Sequence, residues 1–468
     1  MNSFSREGYL AIRKEVVENV ALTPNIFIPL MSEDISTEYQ PSTATPIAAD
    51  RTINQRAVPN MIPSPSGTLT VLAGPKTLGH FLNGVFGDNS QGVLVEVSAL
   101  AGQLDVGETL TGGTSGETAT VVKSSNENDY ILVSGLSGNF TVGETLTGGT
   151  SGETATVLSS DVNRLGHEFT APSDSLDTYT VEIGYKTKAK RYTGVTFNQI
   201  EFTQSDNIIQ AAIGVLARSS FHNTVVEASL SSGAGTQTIN VDQTTGLASG
   251  DSIKVMRDGV YLDFSSSSVK THTIDSVVSE TSITITNLET TLLPGDLIVL
   301  APQVPTYSTD REFSWIGGSI VSVEDDIVTA VTAPCASIED FTFSLVNTLE
   351  PLHAACNVNF INRFPSKHIL AGLEGSGSLT RTHVDVEFIQ KLRKNKDQSV
   401  YQKHIARNIP STSLKYELRL YAPTVQFDAF DANLDTNALI KEEIGYNLYK
   451  STAGYTAKAL LVNDVATY

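Results

Sequence analysis

The sequence predicts a mainly β protein: two tandem β-sandwich units, each with a short flanking helix, and two small all-β modules inserted among their strands. Three observations predict it. A strand-then-helix stretch occurs twice, once as Ser66-Gly67-Thr68-Leu69-Thr70 before Gly74-Pro75, and again as Ser376-Gly377-Ser378-Leu379-Thr380 before 385–392. The stretch 106–121 recurs identically as 142–157. Strict apolar–polar alternation at 179–186 and 413–421 marks strands with one buried face.

The duplication extends beyond one stretch. Glu33-Asp34-Ile35-Ser36 precedes the first copy as Glu339-Asp340-Phe341-Thr342 precedes the second. Val195-Thr196-Phe197-Asn198 with Asn207-Ile208-Ile209 matches Val425-Gln426-Phe427-Asp428 with Asn437-Ala438-Leu439. The spacings agree once a foreign block at 91–160 is removed. The boundaries are therefore 1–90 with 161–229 for the first unit, 91–160 and 230–305 for the inserted modules, and 306–468 for the second unit.

A chain of 468 residues corresponds to about three domains on length alone. Its apolar fraction of 40% supports real cores. No apolar run approaches the roughly 20 residues that cross a bilayer, and the first residues lack a signal-peptide core. Cys335 and Cys356 have no metal-site spacing and read as small core residues, with a bridge between them left open. A net charge of −20 argues against a conventional nucleic-acid binder. Most of that charge lies in the inserted blocks: 91–160 holds eight acids against Lys123. The reading there is solubility.

In chain order, 8–15 reads equally as a helix or a first strand, and 26–30 as extended. Leu78, Leu82 and Val85 face inward on a helix opened by Pro75, a residue suited to a first helical position. Residues 40–65, rich in Pro, Ala, Thr and Ser, form a long loop. It is expected to act as an inter-ring arm ordering against a neighbouring subunit, with Gln40, Pro41, Arg51, Arg56 and Pro65 as its candidate residues. Each repeat in 91–160 is a few short strands joined by Gly-rich turns, too small to stand alone. Phosphate is not the expected ligand of those turns, because no Lys-Ser/Thr follows the glycines and the neighbours are glutamates. In the second module, Gly250-Asp251 and Gly295-Asp296 enter strands, with His272–Val278 and 282–286 between them. Leu414, Tyr416, Leu418 and Leu420 alternate with Lys415, Glu417 and Arg419, and 457–462 is a final strand.

There is no nucleophile elbow, zinc-binding His-Glu-x-x-His, P-loop or dinucleotide fingerprint. The eight histidines are scattered, and acid pairs such as Asp325/Asp326 read as solvated turns. No catalytic, cofactor-binding or metal site is expected, and the chain does not read as an enzyme.

Gly8-Tyr9-Leu10-Ala11-Ile12-Arg13-Lys14-Glu15, Phe27-Ile28-Pro29-Leu30, Ser32-Glu33-Asp34-Ile35 and Ser66-Gly67-Thr68-Leu69-Thr70 resemble the start of the tail tube proteins (major tail proteins) of long-tailed bacteriophages, or siphophages. The second copy, 340–428, and the C-terminal strand fit the same likeness; both inserts fall outside it. The resemblance implies β-sandwich domains whose strands join those of neighbours around a channel. A duplicated chain would then form a homotrimeric, pseudo-hexameric ring, and rings would stack into the tube through which DNA passes without specific binding. It also implies a virion location after assembly in the bacterial cytoplasm, with a tape measure protein, a tail terminator and distal tail proteins as partners. Glu182, Lys186, Lys415, Glu417 and Arg419 are the expected channel-facing residues. Inserts projecting outward would collide with a contractile sheath, so the tail is expected to be non-contractile. Excising both should leave an assembling core. An Ig-like character is expected of the inserted modules. The alternative is a multi-module β-rich phage decoration protein or adhesin that binds cell-surface glycans.

Overall fold

The computed structural model describes residues 8–37, 42–44, 56–58, 64–98, 100–125, 127–262, 271–279, 281–333, 338–352, 365, 367–382, 390–391, 393, 396–410, 412–433, 440–452 and 454–468. The fold is mainly β.

The stretch 8–15, which composition left open, is strand β1 (Tyr9–Lys14), paired on one edge with β2 (Ile26–Ile28). Burial of its first four side chains overrides any helical preference. β3 (Leu30–Glu33) follows, then β4 (Ser42–Ala44) and β5 (Arg56–Val58), which pair with each other, and β6 (Ser66–Leu72). The helix α1 (Leu78–Phe86) begins later than Pro75 suggested, with Thr77 as N-cap, and ends at Gly87 in the left-handed conformation (φ 78°). Leu78, Leu82 and Val85 are buried as expected.

The first block, which bears the repeats, comprises β7 (Asp88–Ser98), β8 (Thr109–Gly112), β9 (Thr118–Ser124), β10 (Tyr130–Ser134), β11 (Thr145–Gly148) and β12 (Thr154–Ala171). It has its own cluster, including Val95, Val97, Leu110, Val121, Ile131, Leu146 and Val157. β7 and β12 run on out of the block, so no break in the chain separates it from the body. Next come β13 (Tyr179–Gly184), which pairs with the other edge of β1, β14 (Ala189–Ser205) and β15 (Ile208–Leu216).

β16 (Ser219–Phe221) pairs with β14, and the second block then starts earlier than the expected residue 230: it holds β17 (Thr224–Val225), which pairs with β23, followed by β18 (Gly233–Asn240), β19 (Ser252–Arg257), β20 (Val260–Tyr261), β21 (His272–Val278), β22 (Ser282–Leu288) and β23 (Leu297–Leu300). A separate cluster of Ile239, Ile253, Val255, Ile274, Ile283 and Ile298 fills it. The body resumes with β24 (Ser314–Glu324) and a second helix, α2 (Ile327–Thr332), capped by Asp326. It finishes with β25 (Ile338–Leu352), β26 (Lys367–Thr382), β27 (Gln398–Asn408), β28 (Lys415–Asn433), β29 (Lys441–Leu448) and β30 (Ala457–Asn463). Most of the helix expected at 385–392, together with Cys335 and Cys356, lies outside the described residues. Of that segment, 390 and 391 are helical.

One sheet runs through both halves in the order β3–β6–β15–β14–β25–β26–β29–β28, each neighbouring pair antiparallel. Its register repeats. Leu69 stands opposite Ile213 in the first half, and Leu379 opposite Ile444 in the second. A bulge at Asn198 interrupts β14–β15, and one at Asp428 interrupts β28–β29. Ser36 bridges Ser66 where Ser344 faces Ser376. The counterpart of Ser36 is therefore Ser344, two residues beyond the Thr342 that the sequence match assigned. A slip of two leaves every side chain on its own face, so the apolar pattern could not reveal it. Buried residues of both halves, from Leu10 to Val462, belong to one hydrophobic cluster.

Candidate assembly interface

The junction between the halves is a strand pairing. β14 meets β25 with Ile200 opposite Leu345 and Phe202 opposite Phe343, all four side chains buried. On the other face of the sheet, Thr68, Gln210, Glu201, Ser344, Ser378 and Glu443 are half-buried or exposed. The long sheet thus has one apolar face against the core and one polar, lightly charged face.

The expected channel residues divide. Lys186, in the β13–β14 turn, and Lys415, at the start of β28, are exposed. Glu182, Glu417 and Arg419 are buried, which corrects their assignment to a wet face. Glu182 accepts from the Tyr9 hydroxyl at 2.5 Å and from Arg191 Nη2 at 2.6 Å, and Arg191 also binds Asp251 of the second block. Burial and the Glu182 charge push the Tyr9 pKa up, so its hydroxyl stays protonated and donates. Burial opposes the Arg191 charge, but Asp251 and Glu182 outweigh it and hold the guanidinium ionised.

The face of β28 that bears Glu417 and Arg419 is covered by the first block. Arg419 pairs with Glu417 at 2.6 Å, with Asp129 at 3.0 Å and with Glu96; Arg164 bridges Glu96 and Glu417, both at 3.1 Å. Lys458 of β30 pairs with Glu127, which also accepts from the Tyr455 hydroxyl. Burial works against the charged form of Glu417, yet Arg419 and Lys403 hold its carboxyl below the usual range. Alternation identified two faces correctly; which one met water depended on what packed there.

The Gly-rich turns are anion cradles after all, occupied by the protein itself. Glu144 accepts from the Thr114 and Ser115 amides, both at 2.8 Å, and from the Ser115 hydroxyl. Glu108 accepts from the Thr150 and Ser151 amides and the Ser151 hydroxyl of the other repeat. β8 and β11 pair with Thr111 opposite its own counterpart, Thr147, so the repeats face each other about a local two-fold. Consecutive amides around a tight turn form such a nest. The glutamates that seemed to exclude an anion are the anion, and the identical spacing in both copies was the available signal. Together with Glu96, Glu127 and Asp129, five of the block's eight acids serve structure, beyond the solubility first assigned to them.

Pro65, expected on an arm ordering against a neighbouring subunit, is buried and its carbonyl accepts the Ala217 amide at 2.8 Å, which ties it to the end of β15 in the same chain. Arg56 lies on β5, while Gln40, Pro41 and Arg51 fall outside the described residues. Among the described residues, no helix is long and apolar enough to cross a membrane, and no group of three His, Cys, Asp or Glu is placed to hold a metal.

No protein-family model and no curated protein sequence matches the chain.

Proposed function

We propose that this chain is a structural virion protein that polymerises into the stacked-ring tube of a non-contractile phage tail, with the bore as the channel for DNA ejection. The observation that carries the proposal is the repeated strand order and register within one sheet. A single chain already joins two equivalent four-stranded units edge to edge, so further copies can extend the same sheet. Three chains would supply six units to a closed ring, and closure removes the strand edges that otherwise aggregate. The polar face bearing Thr68, Glu201, Ser344 and Glu443 suits a bore. It is polar and carries little positive charge, so DNA would slide without sticking. A tape measure protein inside the tube and terminator and distal tail proteins at its ends are the partners this reading implies.

A string of independent adhesive beads is less well supported. The first block shares β7 and β12 with the body and is ion-paired to β28 and β30, as a bead would not be. Negative-stain microscopy of the purified protein tests the proposal. Rings or tubes with a central hole are expected, and uniform monomers at high concentration would refute it.

A further inference from the structure

We infer that β28 of one protomer pairs with the β3 edge of a second copy in a register set by the internal junction, Asp431 opposite Ser36. The inference rests on the self-assembly reading above and names which edges meet.

β28 is the counterpart of β14, as the bulges at Asp428 and Asn198 show. On β14, residues 199–203 pair with β15 along one edge and β25 along the other. On β28, residues 429–433 pair with β29 along one edge, and the pairing of β27 along the other ends at Val425. Among the described residues, the place that β25 fills beside β14 has no strand beside β28.

The complementary edge is at the other end of the sheet. β25 is the counterpart of β3 and the residues after it, with Ser344 equivalent to Ser36. Ser36 exchanges both backbone bonds with Ser66, so the backbone groups of Ile35 point to the opposite edge. There the Ile35 amide donates to the carboxylate of its neighbour Glu33 at 3.2 Å, and its carbonyl accepts the Tyr192 hydroxyl at 3.4 Å. The first lies at the long end of the ordinary range and the second, a buried bond, beyond it; both go to side chains, which an incoming strand would displace. Asp34 and Ser36 are exposed beside them.

Carrying the internal register across gives the pairs directly. Glu201 opposite Ser344 becomes Asp431 opposite Ser36; Phe202 opposite Phe343 becomes Ala432 opposite Ile35; Thr203 opposite Thr342 becomes Asn433 opposite Asp34. No like charges face each other, a condition for a stable cross-strand pair. The two edges differ and both belong to every chain, so the contact is head-to-tail and closes into a ring or runs on as a filament.

Disulfide trapping tests it. In a background with Cys335→Ser and Cys356→Ser, Ser36→Cys is combined with Asp431→Cys and oxidised under assembly conditions. Ser36→Cys with Ala432→Cys is the off-register control. Glu201→Cys with Ser344→Cys, the equivalent pair within one chain, checks folding and disulfide reach. The expected result is intermolecular cross-linking of the 36/431 pair in preference to 36/432, with a covalent ladder ending at three chains. Rings that form while 36/431 fails to link, although 201/344 links, would overturn this junction and leave the tube reading standing. Neither rings nor cross-links would overturn both. A ladder ending at another number would keep the junction and overturn the trimeric ring.

Discussion

Glu108 and Glu144 each sit in the glycine turn of the other repeat, and each holds a pair of amides and a serine hydroxyl there. Burial alone would raise their pKa values; the amide bonds, from Ser151 and Thr150 to one and from Ser115 and Thr114 to the other, outweigh it and hold both below the usual carboxylate range. A carboxyl with a depressed folded-state pKa stabilises the fold fully above its unfolded value, and that contribution disappears as pH falls through the folded one. Glu108→Gln and Glu144→Gln should therefore each destabilise the block by about 1–3 kcal/mol at neutral pH. The local two-fold makes the two costs nearly equal. The gap from the parent protein should narrow as pH falls below the ordinary carboxylate range. Denaturant titrations monitored at pH 7 and in that acid window check this, and a gap that widens in acid would contradict the cradle.

At the scale of elements, the repeated bulges decide how β14 and β28 bend between neighbours. Each bulge sets a side-chain oxygen against a glycine of the adjoining strand. A Cβ on Gly214 would lie 2.7 Å from Asn198 Oδ1 and 2.8 Å from Gln199 Cβ; one on Gly445 would lie 2.7 Å from Asp428 Oδ1 and 3.2 Å from Ala429 Cβ. The oxygens sit at the ends of side chains and can move, whereas Gln199 Cβ cannot. Gly214→Ala should thus cost about 1–3 kcal/mol through overpacking, and Gly445→Ala less. Thermal unfolding of the two variants side by side gives the order, and equal costs would mean that the bulges are not similarly rigid.

Across the whole molecule, the first block is part of the body's electrostatics. Its Glu96, Glu127 and Asp129 neutralise Arg419 and Lys458, which lie on strands of the second half. Replacing residues 99–155 by a short Gly-Ser turn should therefore lower the denaturation midpoint of the remaining body, even where that body still assembles. Lys458→Met in the full chain, which strands Glu127, should cost about 3–5 kcal/mol. A deletion with an unchanged midpoint and intact rings would show instead that the block is a detachable decoration.

Local sequence determined the strands of this protein and their kinship. The doubled Ser-Gly-x-Leu-Thr stretch, the identical 36-residue-spaced repeat and the alternation at 179–186 each depend only on neighbours along the chain, and each could be read there. Tertiary structure alone decided which polar face was dry. Glu182, Glu417 and Arg419 occupy the outward positions of well-patterned strands, yet segments distant in the chain pack over them: Asp251 reaches Arg191 beside Glu182, and Glu96 and Asp129 reach Arg419 beside Glu417. The same holds for the two-residue shift of β3 and for the strand status of 8–15. Period-2 patterning is blind to even slips, and a short apolar segment takes its conformation from the partners on its two edges.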